Sequence, residues 1–114
     1  MFTHYIIVVM SRLDQLKALL SESPGDDFIL FAIAKEHQKH DELPLAREAY
    51  EGLKDKNPEY VGLYYHLGKV LEDLELPDEA MKIYNDGITI AKKLSDFHAL
   101  KELMNVRTNL EMEL

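Results

Sequence analysis

The sequence repeats itself at an interval of 34 residues, and this feature constrains the fold more than any other. Large apolar residues of the first copy match large apolar residues of the second, small residues match small ones, and a tyrosine matches a tyrosine. A fixed period of this length is typical of stacked helical units that bury apolar faces against each other. The matching pairs are Leu30 and Tyr64, Phe31 and Tyr65, Ile33 and Leu67, Ala34 and Gly68, Lys35 and Lys69, Ala46 and Ala80, and Tyr50 and Tyr84.

The small residues of the repeat predict where helices cross. Ala34 and Gly68 lie on the first predicted helix of each copy, and Ala46 and Ala80 lie on the second. Two helices approach to about 8–10 Å where the side chains at their crossing are small. Proline, glycine and short polar residues separate the helical segments. We therefore expect helices over about residues 11–21, 27–39, 44–56, 77–93 and 96–110, and a further helix that begins at residue 59 or 60 and ends near residue 74.

Together these positions resemble the tetratricopeptide repeat family, which has the same period and the same order of large, small and aromatic positions. His37 departs from the family pattern, which often has tyrosine there, and Lys92 stands where the second copy would have proline. The resemblance implies an all-α fold, a right-handed α-solenoid of antiparallel helix pairs with about six helices. The residues that carry it are Leu30, Ile33, Ala34, Ala46, Tyr50 and Pro58, then Tyr64, Leu67, Gly68, Ala80 and Tyr84.

The expected organisation is one domain, residues 11–114, preceded by an apolar tail, residues 1–10. The tail contains a run with strand preference. It is either an ill-ordered or incidentally packed tail, or an arm that docks on its own domain or on a second copy. The predicted parts of the domain are an N-terminal capping helix (11–25), repeat one (27–60), repeat two (61–94) and a C-terminal capping helix (96–114).

Charge and cysteine content exclude several classes of function. The 114 residues carry a net charge of −8, which disfavours binding to nucleic acid and to anionic membranes. The sequence has no cysteine, which removes disulfides, thiolate catalysis and cysteine-based zinc sites. These features fit a reducing compartment, and we expect a cytoplasmic protein. The apolar N-terminal run lacks the basic start and the length of a signal peptide.

One cluster of ligand-type side chains raises the alternative of a metal site or an enzyme. Glu36, His37, His40 and Asp41 lie close in sequence, and the two histidines could share a helix face. Their order does not match a zinc-protease motif. The other interpretation has His37 half-packed in the core and the remaining three in solvent at a helix end. We adopt it, and we expect no enzyme activity, no metal and no cofactor.

The favoured hypothesis is a protein-interaction adaptor. The resemblance implies that the helix face opposite the small-residue crossing receives an extended peptide or a partner protein. Seven consecutive apolar residues, 28–34, also suit a helix that presents a binding face. Lysines beside aromatic residues would suit an acidic partner; in the alternative interpretation the lysines are solvated and the aromatic residues cover the core. The predicted groove residues are Phe31, Lys35, Gln38, Tyr65, Lys69, Glu72, Lys101 and Asn105.

A further hypothesis is self-association, in which the chain acts as a homodimeric scaffold. Such folds usually need about three repeats, and this chain has two. Apolar surface would therefore remain uncovered at the flanks of the stacked helices. The N-terminal arm and the last helix are the expected surfaces. The apolar residues predicted for one side of the last helix, which closes repeat two, are Phe97, Leu100, Leu103, Met104 and Leu110.

Overall fold

The computed structural model describes residues 11–114, and this part of the chain forms six α-helices and no strand. Each helix packs on its neighbours in sequence, most extensively α2 on α3, α4 on α5 and α5 on α6. The all-α prediction is therefore confirmed, whereas the predicted tail, residues 1–10, lies outside the described residues. The helices are α1 (Arg12–Glu22), α2 (Asp27–Lys39), α3 (Leu43–Lys56), α4 (Gly62–Asp73), α5 (Pro77–Leu94) and α6 (Phe97–Glu113).

Side-chain caps explain where three of these six helices begin. The Ser11 hydroxyl accepts a hydrogen bond from the Asp14 amide at 3.1 Å, and carboxylates cap α2 and α6 in the same way. Such caps satisfy backbone amides that have no partner within the helix. In α3 and α5 a proline occupies the first turn, where its missing N–H costs nothing.

The predicted start of α4, at residue 59 or 60, is wrong, because α4 begins at Gly62. Residues 57–60 form a separate turn instead. Its amides bond back to one residue: the Tyr60 amide donates to the Asn57 carbonyl at 3.1 Å, and the Glu59 amide donates to the Asn57 side chain at 3.2 Å. The asparagine therefore delays the helix by keeping two amides in the turn.

The repeat is visible in the backbone as well as in the sequence. Two residues after the last residue of α2 and of α4 comes a residue with positive φ, Asp41 at 60° and Glu75 at 62°, and these residues are 34 positions apart. The next amide in each case bonds back into the helix, from Glu42 to the His37 carbonyl and from Leu76 to the Leu71 carbonyl, both at 2.9 Å. Each turn is therefore a C-terminal cap in which a residue in the left-handed conformation terminates a right-handed α-helix.

The small and large positions of the repeat meet in the core as predicted. Ala34, Ala46 and Ala80 are completely buried, as are Tyr50 and Tyr84. Gly68 packs so closely that a Cβ added to it would lie 2.0 Å from Cε1 of Tyr84. The helices therefore cross where the sequence has its smallest residues.

The apolar side predicted for α6 is partly wrong. Leu103, Val106 and Leu110 are buried, and their spacing of three and four residues places them on one helix face. Phe97 and Met104 are 74% and 42% exposed, so they lie on another side. α6 contains more apolar residues than one helix face can hold. The sequence prediction therefore assigned Phe97 and Met104 to the core, although they are exposed, and it did not assign Val106, which is buried.

Candidate binding groove

α2 and α4 present their equivalent residues on one side of the molecule, which we call the groove face. It is defined by Phe31, Lys35, Gln38, Tyr65, Lys69 and Glu72. Five of these residues are partly buried and Lys35 is exposed. Three depressions open along this face, of about 240 Å³ between α1 and α2, about 180 Å³ between α4 and the start of α6, and about 460 Å³ between α4 and the end of α6.

An aromatic cluster joins the two halves of the groove face. The Phe31 ring lies 5.1 Å from that of Tyr60 and 5.5 Å from that of His66, between ring centres. His66 also stacks parallel to Tyr50 at 6.1 Å and meets the edge of Tyr65 at 5.3 Å. The sequence did not indicate His66, because its partner in the first copy is an alanine. It lies between the predicted aromatic residues and holds them in place.

Gln38 and Glu72 each accept a hydrogen bond from a core tyrosine. The Tyr50 hydroxyl donates to Oε1 of Gln38 at 2.7 Å, and the Tyr84 hydroxyl donates to Oε2 of Glu72. Burial raises the pKa of both tyrosine hydroxyls, so they remain donors at neutral pH. These two predicted groove residues therefore also support the core.

The two groove lysines differ in their surroundings. Nζ of Lys35 lies 5.4 Å from the centre of the Phe31 ring, within the range of a cation–π contact. Nζ of Lys69 lies 3.9 Å from Oε2 of Glu72, an acidic neighbour on the same helix. The positive charge of Lys35 is therefore the less compensated of the two.

Lys101 and Asn105, the two groove residues predicted on α6, do not line the depressions that α6 forms with α4. They border a separate shallow surface with Phe97 and Met104. The residues of α6 that face α4 across these depressions are Glu102, Val106 and Asn109. The predicted register of α6 is therefore rotated by about one residue.

The two histidines of the cluster predicted as an alternative metal site contact different carboxylates. Nδ1 of His37 lies 3.2 Å from Oε1 of Glu42, and Nε2 of His40 lies 3.0 Å from Oε1 of Glu36. Over residues 11–114, no three histidine or carboxylate side chains are grouped so that they could hold a metal ion. The expectation that Glu36 is in solvent is wrong, since it is only 9% exposed.

We expect His66 to make the fold less stable in weak acid. Burial lowers its pKa, Lys35 acts in the same direction and Glu102 in the opposite one. The unfolded chain therefore binds the proton more readily, so the free energy of unfolding should fall as the pH drops below about 6.5. Urea unfolding at pH 7.5 and at pH 5.5 measures this difference. In His66→Phe the difference should shrink, and an equal drop in both proteins would contradict the assignment.

Comparison with solved structures identifies similar proteins. A tetratricopeptide repeat domain protein from Salinibacter ruber is 40% identical in sequence. Its solution structure aligns with a TM-score of 0.74 over 77% of this chain and 89% of that one. Its crystal structure aligns with a TM-score of 0.73 over 75% and 96% of the two chains.

A protein from Bordetella parapertussis shares the fold at 22% identity, with a TM-score of 0.82 over 92% of this chain and 91% of that one. A scan against protein-family models and a search of curated proteins gave no match. Among residues 11–114, no helix combines the length and the apolar character that crossing a membrane requires.

Proposed function

The chain belongs to the tetratricopeptide repeat family, and from this premise we propose that it is an adaptor that binds a peptide or a partner protein along the groove face. The family supports a protein-interaction module in general. The partner class is our inference from the residues of this face.

The main support is the equivalence of two aromatic–lysine pairs on neighbouring helices. Phe31 and Lys35 of α2 match Tyr65 and Lys69 of α4, and depressions lie beside both pairs. Each pair offers a ring surface for an apolar side chain and an ammonium group for a carboxylate. In a chain with a net charge of −8, lysines at equivalent positions suit an acidic peptide in extended form.

In this proposal the chain acts by binding and not by catalysis, and it needs no cofactor. At the end of α2, His37 is within hydrogen-bond distance of Glu42, and His40 is within hydrogen-bond distance of Glu36. We place the protein in the cytoplasm as part of the same proposal, because its lack of cysteine suits a reducing compartment.

The double variant Lys35→Glu/Lys69→Glu should lose binding of acidic peptides. The test begins with selection of random 12-residue peptides, displayed on phage, against the full chain. We expect the selected peptides to contain Asp or Glu, and we expect the double variant to bind them at least about tenfold more weakly, because two attractive charges become repulsive. Fluorescence anisotropy with labelled peptides measures the affinity, and thermal melting checks the fold.

Lys82→Glu/Lys92→Glu is the matched control. Both lysines are exposed on α5 and neither lines a groove depression, so this variant changes the net charge by the same amount elsewhere. It should bind like the wild type. An equal loss of affinity in both double variants would mean that the effect comes from the overall charge of the protein and not from the groove. Unchanged binding by Lys35→Glu/Lys69→Glu would refute the proposed groove.

A further inference from the structure

The depression between α1 and α2 has features that the family pattern does not account for. It is lined by Arg12 and Leu16 of α1 and by Phe28, Phe31 and Lys35 of α2, and its volume is about 240 Å³. Sites for drug-sized molecules usually measure about 300–1,000 Å³. This depression is therefore of a size for one or two side chains of a partner.

The positive groups at its edge are unpaired. Among residues 11–114, Arg12 and Lys35 form no ion pair with a carboxylate, whereas Arg47, Lys56 and Lys93 do. Glu36 also lines the depression, but its carboxylate is buried and is held by His40 at 3.0 Å. Two cations without a carboxylate partner among the described residues make this the part of the groove face best suited to a carboxylate.

The apolar part of the depression is open to solvent. Phe28 is 69% exposed although it stands beside Leu16, which is buried, and Phe31, which is partly buried. Aromatic and arginine side chains at such positions contribute most of the binding energy in many protein interfaces. An exposed phenyl ring and a guanidinium without a carboxylate partner among the described residues therefore line the same depression.

The α2 side of this surface is held in place before any partner binds. The Asp26 carboxylate caps α2 by accepting from the Ile29 amide at 3.1 Å. Nζ of Lys56, on α3, donates to the Gly25 carbonyl at 2.7 Å and also bonds to Asp27. The turn before α2 is thus tied to the end of α3, so little ordering of the backbone would be needed on binding.

We propose that this depression is a subsite for a bulky apolar side chain that stands next to Asp or Glu in a partner peptide. The apolar side chain packs on Phe28, Phe31 and Leu16. The neighbouring carboxylate accepts hydrogen bonds from the Arg12 guanidinium, which can bind both of its oxygens, and from Lys35. The inference rests on the proposed function and extends the groove face beyond the repeats to α1.

The test uses the full chain and the peptides selected from the 12-residue library. We expect these peptides to place a large apolar residue beside Asp or Glu. Arg12→Glu and Phe28→Ser should each weaken their binding at least about tenfold. Lys17→Glu makes the same charge change elsewhere on α1, and Phe97→Ser removes an equally exposed ring from α6; both controls should bind like the wild type.

The outcomes separate this subsite from the proposed function. If Arg12→Glu and Phe28→Ser bind the peptides normally but Lys35→Glu/Lys69→Glu does not bind them, the proposed groove is supported and the subsite is refuted. If the wild type selects no peptide, both proposals fail. If Phe28→Ser lowers the melting temperature without peptide and Phe97→Ser does not, residues of the chain itself cover the depression, and the subsite is again refuted.

Discussion

Gly68→Leu should lower the free energy of unfolding by about 3 kcal/mol or more, at the upper end of the cost of overpacking. The reason is the contact with Tyr84, since even a Cβ at this position would lie 2.0 Å from the ring. The ring is completely buried and has no space to move into without separating α4 from α5. Urea unfolding followed by circular dichroism measures the loss.

Gly52→Leu is the matched control for this substitution. Gly52 lies inside α3 and is exposed, and a Cβ added there meets nothing within 4 Å. Leucine has the better helix propensity by nearly 1 kcal/mol, so this variant should be slightly more stable than the wild type. If Gly68→Leu and Gly52→Leu change the free energy of unfolding equally, the close helix crossing is not the reason why a larger residue at position 68 would be unfavourable.

Tyr84→Ala should cost about 3–5 kcal/mol of unfolding free energy, the range for truncation of large buried aromatic side chains. Tyr84 is completely buried between α4 and α5, and its hydroxyl donates to Glu72. Tyr84→Phe keeps the ring and removes that hydrogen bond to a carboxylate, so it should cost less, about 1.5–3 kcal/mol. Chemical unfolding of the two variants beside the wild type measures both effects.

A double variant tests whether Gly68 and Tyr84 pack against each other. In the double variant Gly68→Leu/Tyr84→Ala, the leucine can occupy the space left by the ring, so its cost should be well below the sum of the single costs. Additive costs would mean that the glycine and the tyrosine do not oppose each other across the helix pair. Similar losses in Tyr84→Ala and Tyr84→Phe would mean that the hydroxyl, and not the ring, stabilises this contact.

The repeated part of the fold could be predicted because each small or aromatic position occurs twice. A small residue at both 34 and 68, and a tyrosine at both 50 and 84, makes the assignment of each position more secure. All four residues are buried as expected. α6 has no second copy, and its apolar residues allow more than one register. The prediction therefore placed Phe97 and Met104 in the core, and it placed Lys101 and Asn105 in the groove.

The groove could be predicted only where it follows the repeat. Phe31 and Tyr65 lie on one face because they are equivalent, but His66 connects them and has no aromatic counterpart in the first copy. The run of apolar residues at the start of α2 is the sequence feature that suggested a binding face there. Its contact with Arg12 depends on how α1 packs against α2, which the period of the repeat does not specify.

The serial packing of the helices has a consequence for how the molecule opens. Among residues 11–114, α1 packs mainly on α2, and Leu16 is its one buried residue. A helix with few buried apolar residues opens locally more readily than one with many. Backbone amides of α1 should therefore exchange with solvent faster than those of α4, which has six buried residues. A ligand bound at Arg12 would slow this exchange because it would have to be released before α1 opens.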